Sequence, residues 1–292
     1  MAFFNIEFFS QALNRTVGCK VLLPADQDAY IESGDTSPLP TLYLLHRMTG
    51  SSSSWQSTGN LWRLSREYRV CIVMINGENS FYSDSSLINR PFSRFIEEEL
   101  VDFTRRVFPL SHKREETFIG GLSMGGFGAF CCGLRSPQTF GYITAFSSAL
   151  IKKLILRADD EEGLDYFTRR QYQTMFGLEK IEDFNGCRSD YEALAEAVAA
   201  GNGPMPKIYM DCGTEDVSLY RANLAFKDKL ISLGFDVTWD SRPGGHDMDF
   251  WNDSLIKAFQ WLPIQKLTLN PDGERARQLK RMNDAMTRKM TE

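Results

Sequence analysis

The sequence predicts a doubly wound α/β fold: a mostly parallel central sheet of about eight strands, with helices on both faces and a helical insertion over one edge. Three observations carry that prediction. Short β-rich runs alternate with amphipathic helical patterns along most of the chain. Two of the runs, Leu42-Tyr43-Leu44-Leu45 and Cys71-Ile72-Val73-Met74-Ile75, are apolar at every position, as strands covered on both faces are. The 292 residues are 42% hydrophobic and 24% charged and include 21 Phe, enough to bury a sizeable core.

The first two runs, Phe3–Phe9 and Val17–Leu23, carry polar residues at intervals and read as an antiparallel edge hairpin. Further strands are expected at Thr41–Leu45, Val70–Ile75, Thr117–Gly121, Tyr142–Phe146, Lys207–Asp211 and Phe235–Asp240. Phe92, Phe95, Ile96, Leu100, Phe103 and Val107 recur at helical spacing after Pro91, with Glu97, Glu98, Asp102, Arg105 and Arg106 mostly on the other face. Helices are also expected over Met124–Leu134, Ser218–Leu233 (Ser218 as N-cap, Gly234 as stop) and Asp249–Trp261.

Residues 149–206 show no strand pattern, and charge is dense at Asp159-Asp160-Glu161-Glu162. They read as a cap-like helical insertion over the C-terminal edge of the sheet, where α/β proteins bind ligands. The main body then spans 1–265. Residues 266–292 form a helical tail whose thin apolar stripe, Leu279, Met282, Met286 and Met290, is expected to dock on the body or on a second copy in a homo-oligomer.

Thirty-three basic against 38 acidic residues give a net charge of -5, which argues against nucleic acid or an anionic membrane as partner. No apolar run is long enough to span a bilayer. The opening MAFFNIEFFSQALNR lacks the features of a signal peptide, and the six Cys are scattered without a CxxC pair. A cytoplasmic protein with reduced thiols is expected.

The sharpest chemical signal is Gly121-Leu122-Ser123-Met124-Gly125-Gly126, at the turn between an apolar strand and a helix. A nucleophile elbow needs this placement, with a strained serine flanked by residues too small to clash. A serine hydroxyl needs a base, and the chain has three histidines. His112 lies in a charged loop at the wrong edge of the sheet. His46 ends the Leu42–Leu45 run, too early for the usual chain order. His246 follows the last strand on a Gly-rich loop and is the choice. The carboxylate that orients it should lie in Met210-Asp211-Cys212-Gly213-Thr214-Glu215-Asp216. Asp211 falls within the strand end, Asp216 beyond the turn is chosen, and Glu215 is the fallback. Two backbone N–H groups should stabilise an oxyanion: that of Met124, after the serine, and that of Met48 in the loop His46-Arg47-Met48-Thr49-Gly50.

With these motifs, Met1-Ala2-Phe3-Phe4, Leu42-Tyr43-Leu44-Leu45-His46, Ser54-Trp55, Asn76-Gly77, Ser80-Phe81-Tyr82, Gly121–Ala129, Cys212-Gly213-Thr214-Glu215-Asp216 and Gly245-His246 run in order. Together they resemble the tributyrin esterase group of a family that also includes esterase D (S-formylglutathione hydrolase), feruloyl and acetyl-xylan esterases and the antigen 85 mycolyltransferases. The resemblance implies an α/β-hydrolase fold and hydrolysis of short-chain acyl esters, acetyl to butyryl, without metal or cofactor. Ser123, Asp216 and His246 match the family triad, and the amides of Met48 and Met124 match its oxyanion hole. One departure is Arg47, where the family's usual pattern has Gly, which would set a cation near the acyl or alcohol site. Arg47, Trp55, Phe81 and Tyr82 are the candidate substrate-binding residues, with Trp251 a further aromatic. The alternatives are a feruloyl or acetyl-xylan-type esterase acting on plant-derived oligosaccharides, an S-formylglutathione hydrolase (against which stands Gly50, where esterase D carries Cys), and a catalytically silent ligand-binding homologue.

Overall fold

The computed structural model describes residues 1–25, 36–160, 167–267 and 271–291. Eight strands form one sheet: β1 Ala2–Ser10, β2 Arg15–Leu23, β3 Thr41–Leu45, β4 Cys71–Ile75, β5 Thr117–Leu122, β6 Tyr142–Phe146, β7 Lys207–Gly213 and β8 Val237–Arg242. Their spatial order is β1-β2-β4-β3-β5-β6-β7-β8. β1 and β2 pair antiparallel, β2 pairs antiparallel with β4, and every pair from β4 to β8 is parallel. The edge hairpin and the parallel centre are therefore as the patterning implied. β3, β4 and β5 are buried at every position because helices cover both faces.

Two apolar layers flank the sheet. One packs Leu42, Leu44, Ile72, Met74 and Phe118 against α1 (Asn60–Tyr68) and α8 (Met248–Trp261). The other holds Tyr43, Val73 and Ile119 against α3 (Met124–Arg135) and the helix after Pro91. That helix, α2, is composite: Phe92–Arg94, a π-turn Phe95–Leu100, then Val101–Val107. The π-turn rotates Glu97 inward, away from the solvent face the spacing assigned to it. There Glu97 is nearly buried, pairs with Arg135 at 2.7 Å and accepts from Ser136 Oγ at 2.7 Å.

Residues 149–206 carry α4 (Lys152–Arg157), α5 (Arg169–Phe176), a short 3₁₀ turn Ile181–Phe184 and α6 (Tyr191–Ala200). Thr168 caps α5 with Gln171 in a reciprocal capping box, and Asp190 caps α6. α7 (Tyr220–Ser232) follows β7, and α9 (Pro271–Thr291) ends the described chain. The tail helix forms, but Leu279, Met282, Met286 and Met290 are more than half exposed. The stripe does not dock on the body, because one thin row of apolar side chains among Arg and Lys buries little area. Among the described residues no helix is long and apolar enough to cross a membrane.

Candidate active site

The strand–turn–helix from β5 to α3 has the elbow geometry. Ser123 sits at φ 56° and ψ −118°, a conformation that costs an L-residue about 1–3 kcal/mol. Neighbouring backbone holds it there. Ser123 N–H donates to Phe146 O at 2.8 Å, and its carbonyl accepts from Ala149 N at 2.9 Å and Phe127 N at 3.1 Å. The two glycines are steric requirements. A Cβ on Gly121 would stand 2.6 Å from the Gly125 carbonyl, and one on Gly125 would stand 2.4 Å from Leu45 O. The elbow and the end of β3 are thus in backbone contact, which brings the loop after β3 alongside the serine.

That loop is a tight turn. Gly50 N–H donates to Arg47 O at 3.0 Å, with Met48 and Thr49 between them and Thr49 at φ 61°. Arg47 is not at positive φ, so a side chain in place of the usual glycine adds no backbone strain. His46 is buried and braces the turn. Its Nδ1 donates to Arg47 O at 2.6 Å, and its Nε2 accepts from Gly77 N–H at 2.9 Å. Burial lowers its pKa, which keeps the ring neutral and able to play both parts. Trp55 Nε1 donates to Leu45 O at 3.0 Å, Tyr82 Oη to His46 O at 2.8 Å, and Thr49 N–H to Asn79 Oδ1 at 2.8 Å. The Met124 amide opens α3, where helix N–H groups have no intrahelical acceptor. Met48 lines the same cavity as Ser123.

From the far side, β7 and β8 deliver an acid and an imidazole. Gly213 and Gly244 touch so closely that a Cβ on Gly213 would lie 2.1 Å from Gly244 O. Thr214 N donates to Arg242 O at 2.9 Å and Glu215 N to Gly244 O at 3.0 Å, which ties the two loops together. Gly244 at φ 146° turns the chain back over the sheet. Asp216, almost fully buried, then accepts from His246 Nδ1 at 2.7 Å through Oδ2. Its Oδ1 accepts Leu219 N–H at 3.1 Å in the turn leading into α7, whose N-cap is Leu219, not Ser218 as expected, and has no side-chain capping bond. His246 Nε2 lies 2.9 Å from Ser123 Oγ. A carboxylate only accepts, so Nδ1 carries the ring proton and Nε2 is left to accept from the serine. The Trp251 indole stacks edge-on against the imidazole at 4.7 Å. Of the other candidates, Glu215 is exposed, His112 is exposed at the opposite edge, and Asp211 is buried beside Arg242 at 3.2 Å.

Ser123 opens into a cavity of about 350 Å³. Its apolar walls include Met48, Phe81 and Leu219, together with Ile151 and Leu154 from α4 and Phe167 and Tyr172 at α5. Arg47 stands at its rim and Phe81 lines it. Trp55 and Tyr82 do not. Both are fully buried behind the turn, where their polar tips hold backbone carbonyls; a large side chain with one polar end suits that brace as well as a pocket wall. Trp251 is likewise buried, behind the imidazole. The α4 and α5 walls escaped sequence reading, since no motif marks them and only the aromatic spacing Phe167, Tyr172, Phe176 hints at an inward face.

The family model described as "Putative esterase" matches residues 10–262. The chain belongs to that family. This esterase is therefore a carboxylic ester hydrolase with an α/β-hydrolase fold. It is 38% identical over 264 residues to an acetyl esterase of Caldicellulosiruptor saccharolyticus, across 90% of this chain and 98% of that one. Among solved structures it resembles the fluorophosphonate-binding serine hydrolase FphF of Staphylococcus aureus, with a TM-score of 0.77 and 26% identity over 89% of this chain and 98% of that one. It also resembles the S-formylglutathione hydrolase FrmB of the same organism, with a TM-score of 0.75, 26% identity and the same coverage.

Proposed function

We propose that the esterase hydrolyses short-chain acyl esters, acetyl to butyryl, with Ser123 as nucleophile, His246 as general base and acid, and Asp216 as its orienting carboxylate. The observation that carries this is the unbroken relay Asp216 Oδ2–His246–Ser123 Oγ, with bonds of 2.7 and 2.9 Å, at the floor of an apolar cavity. His246 takes the serine proton as Oγ attacks the ester carbonyl, and Asp216 stabilises the imidazolium. The amides of Met48 and Met124 hold the oxyanion. The alcohol leaves with the proton from His246. Water, activated by the same ring, then attacks the acyl-enzyme and frees the acid.

The cavity equals about twelve liquid-water volumes, room for a small acyl group and part of the alcohol. Its aromatic walls, Phe81, Phe167 and Tyr172, favour one second reading, a ring-bearing acyl group such as feruloyl. Ser123→Ala is the test. It should abolish hydrolysis of 4-nitrophenyl acetate and butyrate and labelling by a fluorophosphonate; turnover at the parent rate would reject the mechanism. Comparing acetyl, butyryl, feruloyl and S-formylglutathione esters in the parent separates the substrate readings.

A further inference from the structure

Arg47 immediately precedes the Met48 amide at the rim of the active-site cavity. Its side chain is exposed and forms no hydrogen bond or ion pair among the described residues. Among the described residues, the acid and the imidazole lining that cavity, Asp216 and His246, are bonded to each other. Beyond the shared Phe167 wall lies a second cavity of about 460 Å³, whose charged lining residues, among the described residues, are Arg90 and Arg170; Asp160 Oδ1 accepts the Arg170 backbone N–H at 3.1 Å. The two cavities meet where Thr49 N–H, on the first, donates to Asn79 Oδ1, on the second. Arg90 does have an acceptor, Glu78 at 2.8 Å, but that carboxylate also pairs with Arg15, so one anion answers two guanidinium groups. In a chain of net charge -5, Arg47 thus stands at the cavity rim without a carboxylate partner among the described residues.

An unanswered guanidinium on a concave, partly apolar wall attracts an anion more strongly than one on an open surface, because the walls focus its field. A neutral acetyl or butyryl ester leaves that group unused. We propose that Arg47 determines specificity by selecting esters that carry a carboxylate away from the scissile bond. This deepens the esterase reading and rests on it. The carboxylate can belong to the acyl group or to the alcohol, and matched substrates distinguish the two.

The acyl-side pair is 4-nitrophenyl hemisuccinate against 4-nitrophenyl butyrate; the alcohol-side pair is 4-acetoxybenzoate against phenyl acetate. For each pair the ratio of kcat/KM, anionic over neutral, is measured in the parent, Arg47→Gln and Arg47→Lys. In one pair Arg47→Gln should lower the ratio about tenfold, equivalent to about 1.4 kcal/mol, chiefly through KM. Arg47→Lys should retain most of it, and raised salt should shrink the parent's ratio. A change below about threefold in both pairs overturns the proposal. A general loss of rate that leaves the ratios fixed overturns it too, because that would mark Arg47 as a support of the turn. Binding of the same anionic esters to Ser123→Ala, with and without Arg47→Gln, decides the matter independently of turnover. The dissociation constant should rise about tenfold with Arg47→Gln, even if Ser123 proved not to be the nucleophile.

Discussion

Asp216→Asn probes the relay at its most informative joint. Asp216 is almost fully buried, and its two oxygens have different duties: Oδ2 accepts from His246 Nδ1 at 2.7 Å and Oδ1 accepts Leu219 N–H at 3.1 Å. Asparagine keeps the shape and one acceptor. With its oxygen kept on Leu219 N–H, its NH₂ faces the imidazole and donates to Nδ1. The ring proton must then move to Nε2, where it points at Ser123 Oγ, 2.9 Å away, and the ring can no longer take the serine proton. Fixing the wrong tautomer in a serine triad lowers kcat by about 10⁴, or about 5.4 kcal/mol. Because the bond to Leu219 N–H is retained, stability should change by no more than about 1 kcal/mol. Initial rates with saturating 4-nitrophenyl acetate, alongside calorimetric melting, separate the two effects. Glu215→Gln is the matched control, since Glu215 is exposed and ties its loop through its backbone N–H to Gly244 O. An Asp216→Asn enzyme within about tenfold of the parent kcat would refute the reasoning. So would a Glu215→Gln variant that fell as far.

Three further outcomes follow from the same geometry. Gly125→Ala puts a Cβ 2.4 Å from Leu45 O and 2.9 Å from His46 O, both main-chain atoms, so the elbow and the turn must separate. The expected loss in kcat is about 10² or more with a lowered Tm, and an unchanged kcat would show that the contact does not set the site. Met48→Ala should keep kcat within about threefold because the proposed oxyanion donor is its amide, not its side chain; a fall of about 10²–10³ would give the side chain a part. Asp211 is fully buried, and burial raises its pKa to about 7 from 3.8. The folded state therefore holds this proton more tightly than the unfolded chain, and the stabilisation present below pH 4 is lost as pH rises towards about 7. Melting temperatures across that range should show the Asp211→Asn variant gaining on the parent as pH rises, and the opposite trend would contradict the assignment.

Much of this was legible in the sequence because the signals are covalent in scale. Leu42–Leu45 and Cys71–Ile75 must be covered on both faces, and the elbow glycines answer to backbone contacts that any side chain would break. What escaped depends on packing between distant segments. Glu97 turns inward through a π-turn, which no 3.6-residue periodicity can foresee, and it finds Arg135 38 residues away. Trp55 and Tyr82 looked like pocket walls because aromatic side chains with a polar tip serve equally as braces, and only their partners, Leu45 O and His46 O, decide which. The α4 and α5 walls depend on how residues 149–206 fold back over the sheet.

The strand order fits a carboxylate delivered from β7. Neighbouring strands lie about 4.8 Å apart, so β5 and β7, separated by β6, stand about 10 Å apart. An imidazole, together with bonds of 2.7 and 2.9 Å to its two partners, bridges nearly that distance. His246 comes from the next strand out, β8, and folds back, which the Gly244–Gly245 reversal allows. The spacer strand is not idle. Ser147 N–H, just past β6, donates to Asp211 O at 2.9 Å, while Phe146 O and Ala149 N–H hold Ser123. A single run of backbone bonds thus joins nucleophile, spacer, acid and histidine strands, fixing the relay before any substrate arrives.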